Sequence, residues 1–179
     1  IEIYKNDLRK ETVAKLFFLR QQMNRDKSSR PNFCLSDFVA PKETMLKDYL
    51  GGFLVTAGSS IEEMSKFYEK KKDDYNSILI KSIGDRLAEG LAEKLHHDVR
   101  KKHWGYSRNE MLDNDDLIKE RYIGIRPAHG YPACPDHTEK RTLFELLEIS
   151  KNLDTSLTES YAISPSSSVA GLYFSNPMS

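Results

Sequence analysis

Residues 75–105 read YNSILIKSIGDRLAEGLAEKLHHDVRKKHWG, and their pattern sets the fold class. Tyr75, Leu79, Ile83, Leu87, Leu91, Leu95 and Val99 recur every fourth residue, which predicts one long helix whose apolar ridge dominates the core and which Gly105 stops. Upstream, Ser60 followed by Glu63 is a capping-box pattern and predicts a shorter helix running to the charged stretch Glu69–Asp74. Further helices are expected over Glu11–Met23, with Val13, Leu16, Phe17 and Met23 on one face, over Asp113–Arg121, and over Thr138–Ile149. Strands are expected at Ile1–Tyr4, around Phe33–Leu35, over Phe53–Ala57 closed by Gly58, and at Leu157–Ile163 and Val169–Phe174 about the turn Ser164–Ser168. The polar stretch Arg25–Pro31 reads as an exposed loop. Strands and helices do not alternate regularly, so the class is α+β rather than a doubly wound parallel sheet.

Composition narrows the function. The 179 residues, 39% of them hydrophobic, fit one domain. Twenty-seven Lys and Arg balance twenty-seven Asp and Glu, so no net field draws the chain to nucleic acid or an anionic membrane, and a ligand must be held by local arrangement. No apolar run approaches the roughly 20 residues that cross a bilayer, and the opening Ile1-Glu2-Ile3-Tyr4 has no basic and apolar leader pattern, which reads as a cytoplasmic protein. Cys34 and Cys134 form no CxxC pair and read as thiols in a reducing compartment. A start at Ile1 on a strand, and an end just after the aromatic run Leu172–Phe174, read as a domain truncated at both ends.

The segment with most chemistry is Gly124–Glu139, with three prolines and two glycines in sixteen positions. Proline fixes φ and glycine admits positive φ, so this is a repeatedly bent loop of small conformational freedom. Arg126 offers a planar fork suited to a carboxylate, Tyr131 an aromatic face with a polar tip, and Gly130 room for a ligand against the main chain. Those parts suit an amino-acid-like ligand bearing a ring. Asp136 and Thr138 read as caps of the following helix.

The run Arg126-Pro-Ala-His-Gly-Tyr-Pro-Ala-Cys-Pro-Asp-His-Thr-Glu-Lys140 closely resembles the signature loop of the activation domain of cobalamin-dependent methionine synthase. Leu35-Ser-Asp-Phe-Val-Ala-Pro-Lys42, Asp85-Arg-Leu-Ala-Glu89, Trp104-Gly-Tyr106, Leu157-Thr-Glu-Ser-Tyr161 and Ser168-Val-Ala-Gly-Leu-Tyr-Phe174 extend the resemblance over nearly the whole chain. One departure is His129, where the family commonly has proline, a change expected to loosen the loop slightly. The resemblance implies a C-shaped single α+β domain, residues 1–179, with a bent antiparallel sheet and packed helices. It implies a shallow groove for S-adenosylmethionine, with Arg126 on the ligand carboxylate, the backbone at Ala128 and Gly130 on the nucleoside, Tyr131 lining the groove and Glu89 near the cationic end. It also implies an acidic residue upstream of Ile1 and a tyrosine pair beyond Ser179.

The implied reaction is reductive remethylation of oxidised cob(II)alamin, within a 5-methyltetrahydrofolate–homocysteine S-methyltransferase. The cobalamin belongs to a neighbouring domain of the same polypeptide, zinc only to another domain of the full enzyme, and the electron to a flavodoxin-like protein or flavoprotein reductase. No catalytic acid or base is expected in this chain, because no proton has to move, and the fragment alone is expected to bind ligand without turnover.

Two other readings compete. A metal hydrolase would use His96, His97 and His103, yet neighbouring helical residues diverge by about 100°, no HExxH is present, and histidines there suit a helix C-terminus. A non-catalytic interaction module would use the Pro-rich loop to bind protein. The cluster Arg100-Lys101-Lys102 is a candidate docking patch for an acidic flavoprotein, whereas Lys70-Lys71-Lys72 is offset by Asp73-Asp74.

Overall fold

A computed structural model describes residues 1–24 and 31–175. The class is α+β, with short helices, one long helix and small antiparallel sheets. The loop expected at Arg25–Pro31 lies, but for Pro31, outside the described residues, as do the last four residues. The chain falls into two compact units. The first comprises residues 1–52, 112–146 and 171–179, and the second 53–111 and 147–170.

In the first unit β1 (Glu2–Tyr4) pairs antiparallel with β2 (Thr12–Lys15), in the register Glu2↔Lys15 and Ile3↔Ala14. The helix expected over Glu11–Met23 is therefore absent. Its periodicity misleads because of the four apolar residues only Leu16 is buried, at 1% exposure, while Val13, Phe17 and Met23 face solvent. Backbone groups that a helix would pair locally find distant partners instead: Leu16 N–H donates to the Ile1 carbonyl and Gln21 N–H to the Phe33 carbonyl. The segment at Phe33–Leu35 is also not a strand. Leu35–Phe38 makes a 3-10 turn, with Asp37 accepting from the Cys34 N–H at 3.0 Å and gripped by both Arg20 guanidinium nitrogens. A short helix, α3 (Asn114–Ile118), starts on Asp113, whose carboxylate accepts from Asp116 N–H. The expected helix from Thr138 is shorter, α4 (Lys140–Leu146), and Leu143 and Phe144 join Leu16, Leu172 and Phe174 in the core.

In the second unit α1 (Ser60–Lys70) packs against α2 (Asp74–Asp98). Ser60 lies inside α1 and the flanking Ser59 makes no side-chain cap, so the capping box is not formed. Asp73 does cap α2, accepting from Asn76 N–H at 3.1 Å, and the Asn76 side-chain amide at 2.7 Å, followed by that N–H, holds its carboxyl below the usual range. The long helix exists as expected, but the face is different. Its buried residues are Ser77, Gly84, Ala88, Ala92 and His96, while Tyr75, Leu79, Ile83, Leu87 and Leu91 are exposed. Small side chains let α2 approach its neighbours closely: Ser77 Oγ lies 2.8 Å from Ser65 Oγ of α1, and a Cβ at Gly84 would meet Ile61 and Ser167 at 2.7 Å.

A π-helical turn, Val99–His103, continues α2, and Gly105 leaves it at φ +74°. His96 is thus inside the helix and fully buried rather than at its C-terminal surface. Arg100, expected in an exposed basic patch, is 0% exposed and pairs through Nε and Nη2 with Glu110 at 2.8–3.1 Å. Lys101 donates to the Glu110 carbonyl and Lys102 pairs with Asp98. Arg100, the first residue of the expected patch, is therefore buried and paired internally, while Lys102 stays exposed.

A turn of helix, α5 (Ile149–Asn152), follows. The strand expected at Leu157–Ile163 is a hairpin: β4 (Ser156–Leu157) pairs antiparallel with β5 (Ile163–Ser164), reversed where Tyr161 N–H donates to the Thr158 carbonyl and Tyr161 takes φ +60°. The strands β3 (Gly51–Thr56) and β6 (Ser168–Tyr173) pair as a two-stranded sheet. Among the described residues no helix is long and apolar enough to cross a membrane.

Substituting Gly84→Ala tests the close packing of α2. Alanine is the better helix former by about 1 kcal/mol, yet the added methyl has no room, so a net loss of about 1–3 kcal/mol in urea unfolding is expected. A stabilised variant would contradict the packing.

Candidate functional site

The loop after α3 is held at its entrance, middle and exit by main-chain bonds. Ile125 pairs antiparallel with Phe174, each N–H donating to the other's carbonyl at 3.0–3.1 Å, and Leu172 N–H donates to the Pro127 carbonyl at 2.9 Å. Residues 131–134 form a tight turn with Pro132 in its second position, Cys134 N–H donating to the Tyr131 carbonyl. Gly130 N–H returns to the Cys134 carbonyl at 2.7 Å. Gly130 is at φ +98°, where a side chain is strained, and a Cβ there would stand 2.3 Å from the His137 ring.

The exit is an acid-capped turn. Asp136 accepts from both the N–H and the hydroxyl of Thr138, contacts that hold its carboxyl below the usual range. The expected cap on the following helix is not formed, because α4 starts at Lys140 and Asp136 holds only the turn before it. Lys140 is buried and bonds His137 Nδ1 at 2.8 Å, and burial lowers its ammonium pKa. Glu139, also buried, accepts from Phe17 N–H just after β2. Cys134 is 3% exposed, and burial pushes its thiol up to about 11, so it is no nucleophile.

The structure brings four of the five predicted site residues into this loop. Arg126 and Ala128 are half-buried, Gly130 is exposed, and Tyr131 holds its ring 65% exposed beside the glycine. Glu89 lies in the second unit, on an exposed turn of α2, paired with Arg86 at 2.7 Å. The arrangement supplies a fixed cation, an accessible backbone corner and an open aromatic face, which suits a ligand with a carboxylate and a flat ring. Sequence reasoning missed the brace beneath it, His129, His137, Glu139 and Lys140. The signal was present as a glycine needing positive φ followed by a capping Asp-His-Thr.

His129, the departure from the family pattern, is buried at 4% exposure. Neither ring nitrogen has a hydrogen-bond partner among the described residues. Burial first, then the charge of Lys140, lowers its pKa to about 4, with Asp136 opposing and His137 adding to the shift. A cavity of about 520 Å³ in the first unit is lined by Glu2, Arg9, Asp37, Lys42 and Asp48 among others, and by none of the predicted site residues. Its charges all have partners: Glu2 pairs with Lys42 at 2.8 Å, Arg9 donates to the Leu46 carbonyl, Asp37 pairs with Arg20, and Asp48 accepts from the Ala40 N–H.

The sequence model of the vitamin B12 dependent methionine synthase activation domain matches residues 1–179. The chain belongs to that family. A solved structure, the crystal structure of the MetH reactivation domain bound to AdoHcy, superposes with a TM-score of 0.95 at 50% sequence identity, over 99% of this chain. The chain spans 54% of the length of that solved chain. His97 contacts Asp98 at 3.4 Å, and among the described residues no group of three metal-ligating side chains gathers.

The buried imidazole makes a pH prediction. Below the ordinary value of about 6.5 an unfolded His129 takes a proton that the folded one refuses until about pH 4. Stability should therefore fall as pH drops through that window, by at most about 1.4 kcal/mol per unit from this group. Urea unfolding of His129→Gln should show a shallower slope between pH 6.5 and 4, and an unchanged slope would contradict a neutral buried ring.

Proposed function

We propose that the loop at residues 124–139 binds S-adenosylmethionine and presents its methyl group for reductive remethylation of a corrinoid held by a neighbouring domain. The observation that carries this reading is the loop itself, pinned by the Ile125–Phe174 and Leu172–Pro127 bonds, with Gly130 and Tyr131 at its surface and Arg126 half-buried beside them. Support comes from the 50% identical reactivation domain, whose bound AdoHcy is the thioether left when S-adenosylmethionine gives up its methyl.

Each residue has a task in this reading. Arg126 pairs with the amino-acid carboxylate, the backbone at Ala128 and Gly130 meets the nucleoside, and Tyr131 covers it with an aromatic face. The four loop residues are on rigid backbone, so they orient the ligand without paying for loop ordering on binding. A corrinoid held by the neighbouring domain would, once reduced by one electron, supply the methyl-accepting nucleophile, and the residues here would hold the methyl donor in line with it. No proton leaves either reactant, which is why the loop holds a cation, a ring and a glycine rather than an acid and a base.

The neighbouring partner is the cobalamin-binding domain of the same polypeptide. A flavodoxin-like protein or flavoprotein reductase supplies the single electron. A cytoplasmic setting, where such a reductant and free thiols coexist, fits the unpaired buried Cys34 and Cys134.

Calorimetric titration of S-adenosylmethionine, with ATP as the control for adenine alone, tests the site. Saturable binding is expected that ATP does not mimic and that Arg126→Ala weakens at least tenfold, about 1.4 kcal/mol. Binding unchanged by Arg126→Ala, or none in the full-length protein, would overturn the assignment and favour a protein-binding loop.

A further inference from the structure

The ridge on α2 is the part of the second unit whose sequence its surroundings do not explain. Tyr75, Leu79, Ile83, Leu87 and Leu91 follow at four-residue steps and are 76, 40, 43, 58 and 47% exposed, with Ile78 at 64% beside them. Together they leave on the order of several hundred Å² of apolar surface uncovered, at the upper end of what monomers tolerate. A row of residues four apart is the ridge that fits the groove of a second helix.

Gly90 adds an independent mark. Glycine is unfavourable inside a helix, and α2 has two. At Gly84 the reason is visible, because Ile61 and Ser167 occupy the space of a Cβ. At Gly90, among the described residues and apart from its chain neighbours and its own helix backbone, nothing comes within 4 Å of that space. It stands three residues after Leu87 and seven after Ile83, so it opens a notch in the ridge itself. A notch among large apolar residues is where another backbone can come close.

This chain covers 54% of the length of the solved reactivation-domain chain, so a candidate cover exists in the remainder of such a domain. We propose that the Tyr75–Leu91 face is an internal packing surface, covered by an apolar α-helix from the portion of the reactivation domain beyond this chain, with its backbone nearest α2 at Gly90. The small-residue side of α2 then packs inward on α1 and the ridge side receives the incoming helix.

The test uses the full-length protein. Leu87→Cys is labelled with a maleimide and read by peptide mass at that position, natively and in denaturant. The expected result is native labelling at least about a hundredfold slower, independent of protein concentration. Gly90→Ala should lower the thermal midpoint, because the methyl meets the covering backbone. Native labelling within a few-fold of the denatured rate, or a raised midpoint for Gly90→Ala, would overturn the proposal. Protection that disappears on dilution would also overturn it, since the cover would then be a second copy of the chain.

Discussion

The ligand loop depends on being paired through its main chain to the strand that ends at Phe174. Three prolines and two glycines give residues 124–139 no helix or strand of their own, so their polar backbone groups must find partners elsewhere or be left unpaired. Ile125 and Phe174 exchange N–H···O bonds, Pro127 receives one from Leu172, and Gly130 closes on Cys134. Remove that pairing and Arg126, Gly130 and Tyr131 have no fixed relation. Phe174 is 1% exposed, with Phe38 edge-on at 6.4 Å, so the loop is anchored to one of the best-packed side chains of its unit.

Beneath this anchor lies a layer of buried polar groups that rigidifies the loop from the other side. Glu139 ties it to Phe17, Lys140 holds His137, and His137 occupies the space that only a glycine at position 130 leaves free. His129 is buried with them as a neutral ring. Because these groups are desolvated they cost free energy unless the loop keeps its shape, which couples the binding surface to the packing below it.

Much of this was legible in the sequence, and what was not has a common cause. The strands Glu2–Tyr4, Gly51–Thr56 and Ser168–Tyr173, the two helices after Ser60, and the bent loop were readable because local chemistry decides them. Which side of α2 is buried was not. Periodicity identifies a helix, but the choice between a leucine ridge and a stripe of Ser77, Gly84, Ala88 and Ala92 is made by how near the neighbours come. The segment after Glu11 failed for a related reason: its helical spacing is real, but strand partners from Glu2–Tyr4 outcompete it. Arg100 looked like surface because charge usually is, and a π-turn places it against Glu110 inside. Arg126, Ala128, Gly130 and Tyr131 share a loop and were found together, whereas Glu89 sits on a helix where an exposed carboxylate is ordinary and its ion pair with Arg86 leaves it no distinguishing local mark.

The central claim is that residues 124–139 form a binding surface already shaped before the ligand arrives. Titrating S-adenosylmethionine into the ¹⁵N-labelled protein and following amide resonances tests it most directly. The account predicts saturable shifts at Ala128, Gly130 and Tyr131, with these amides visible and sharp before any ligand is added. Resonances that stay unmoved in the loop while others shift, or loop amides that appear only once ligand is present, would contradict it.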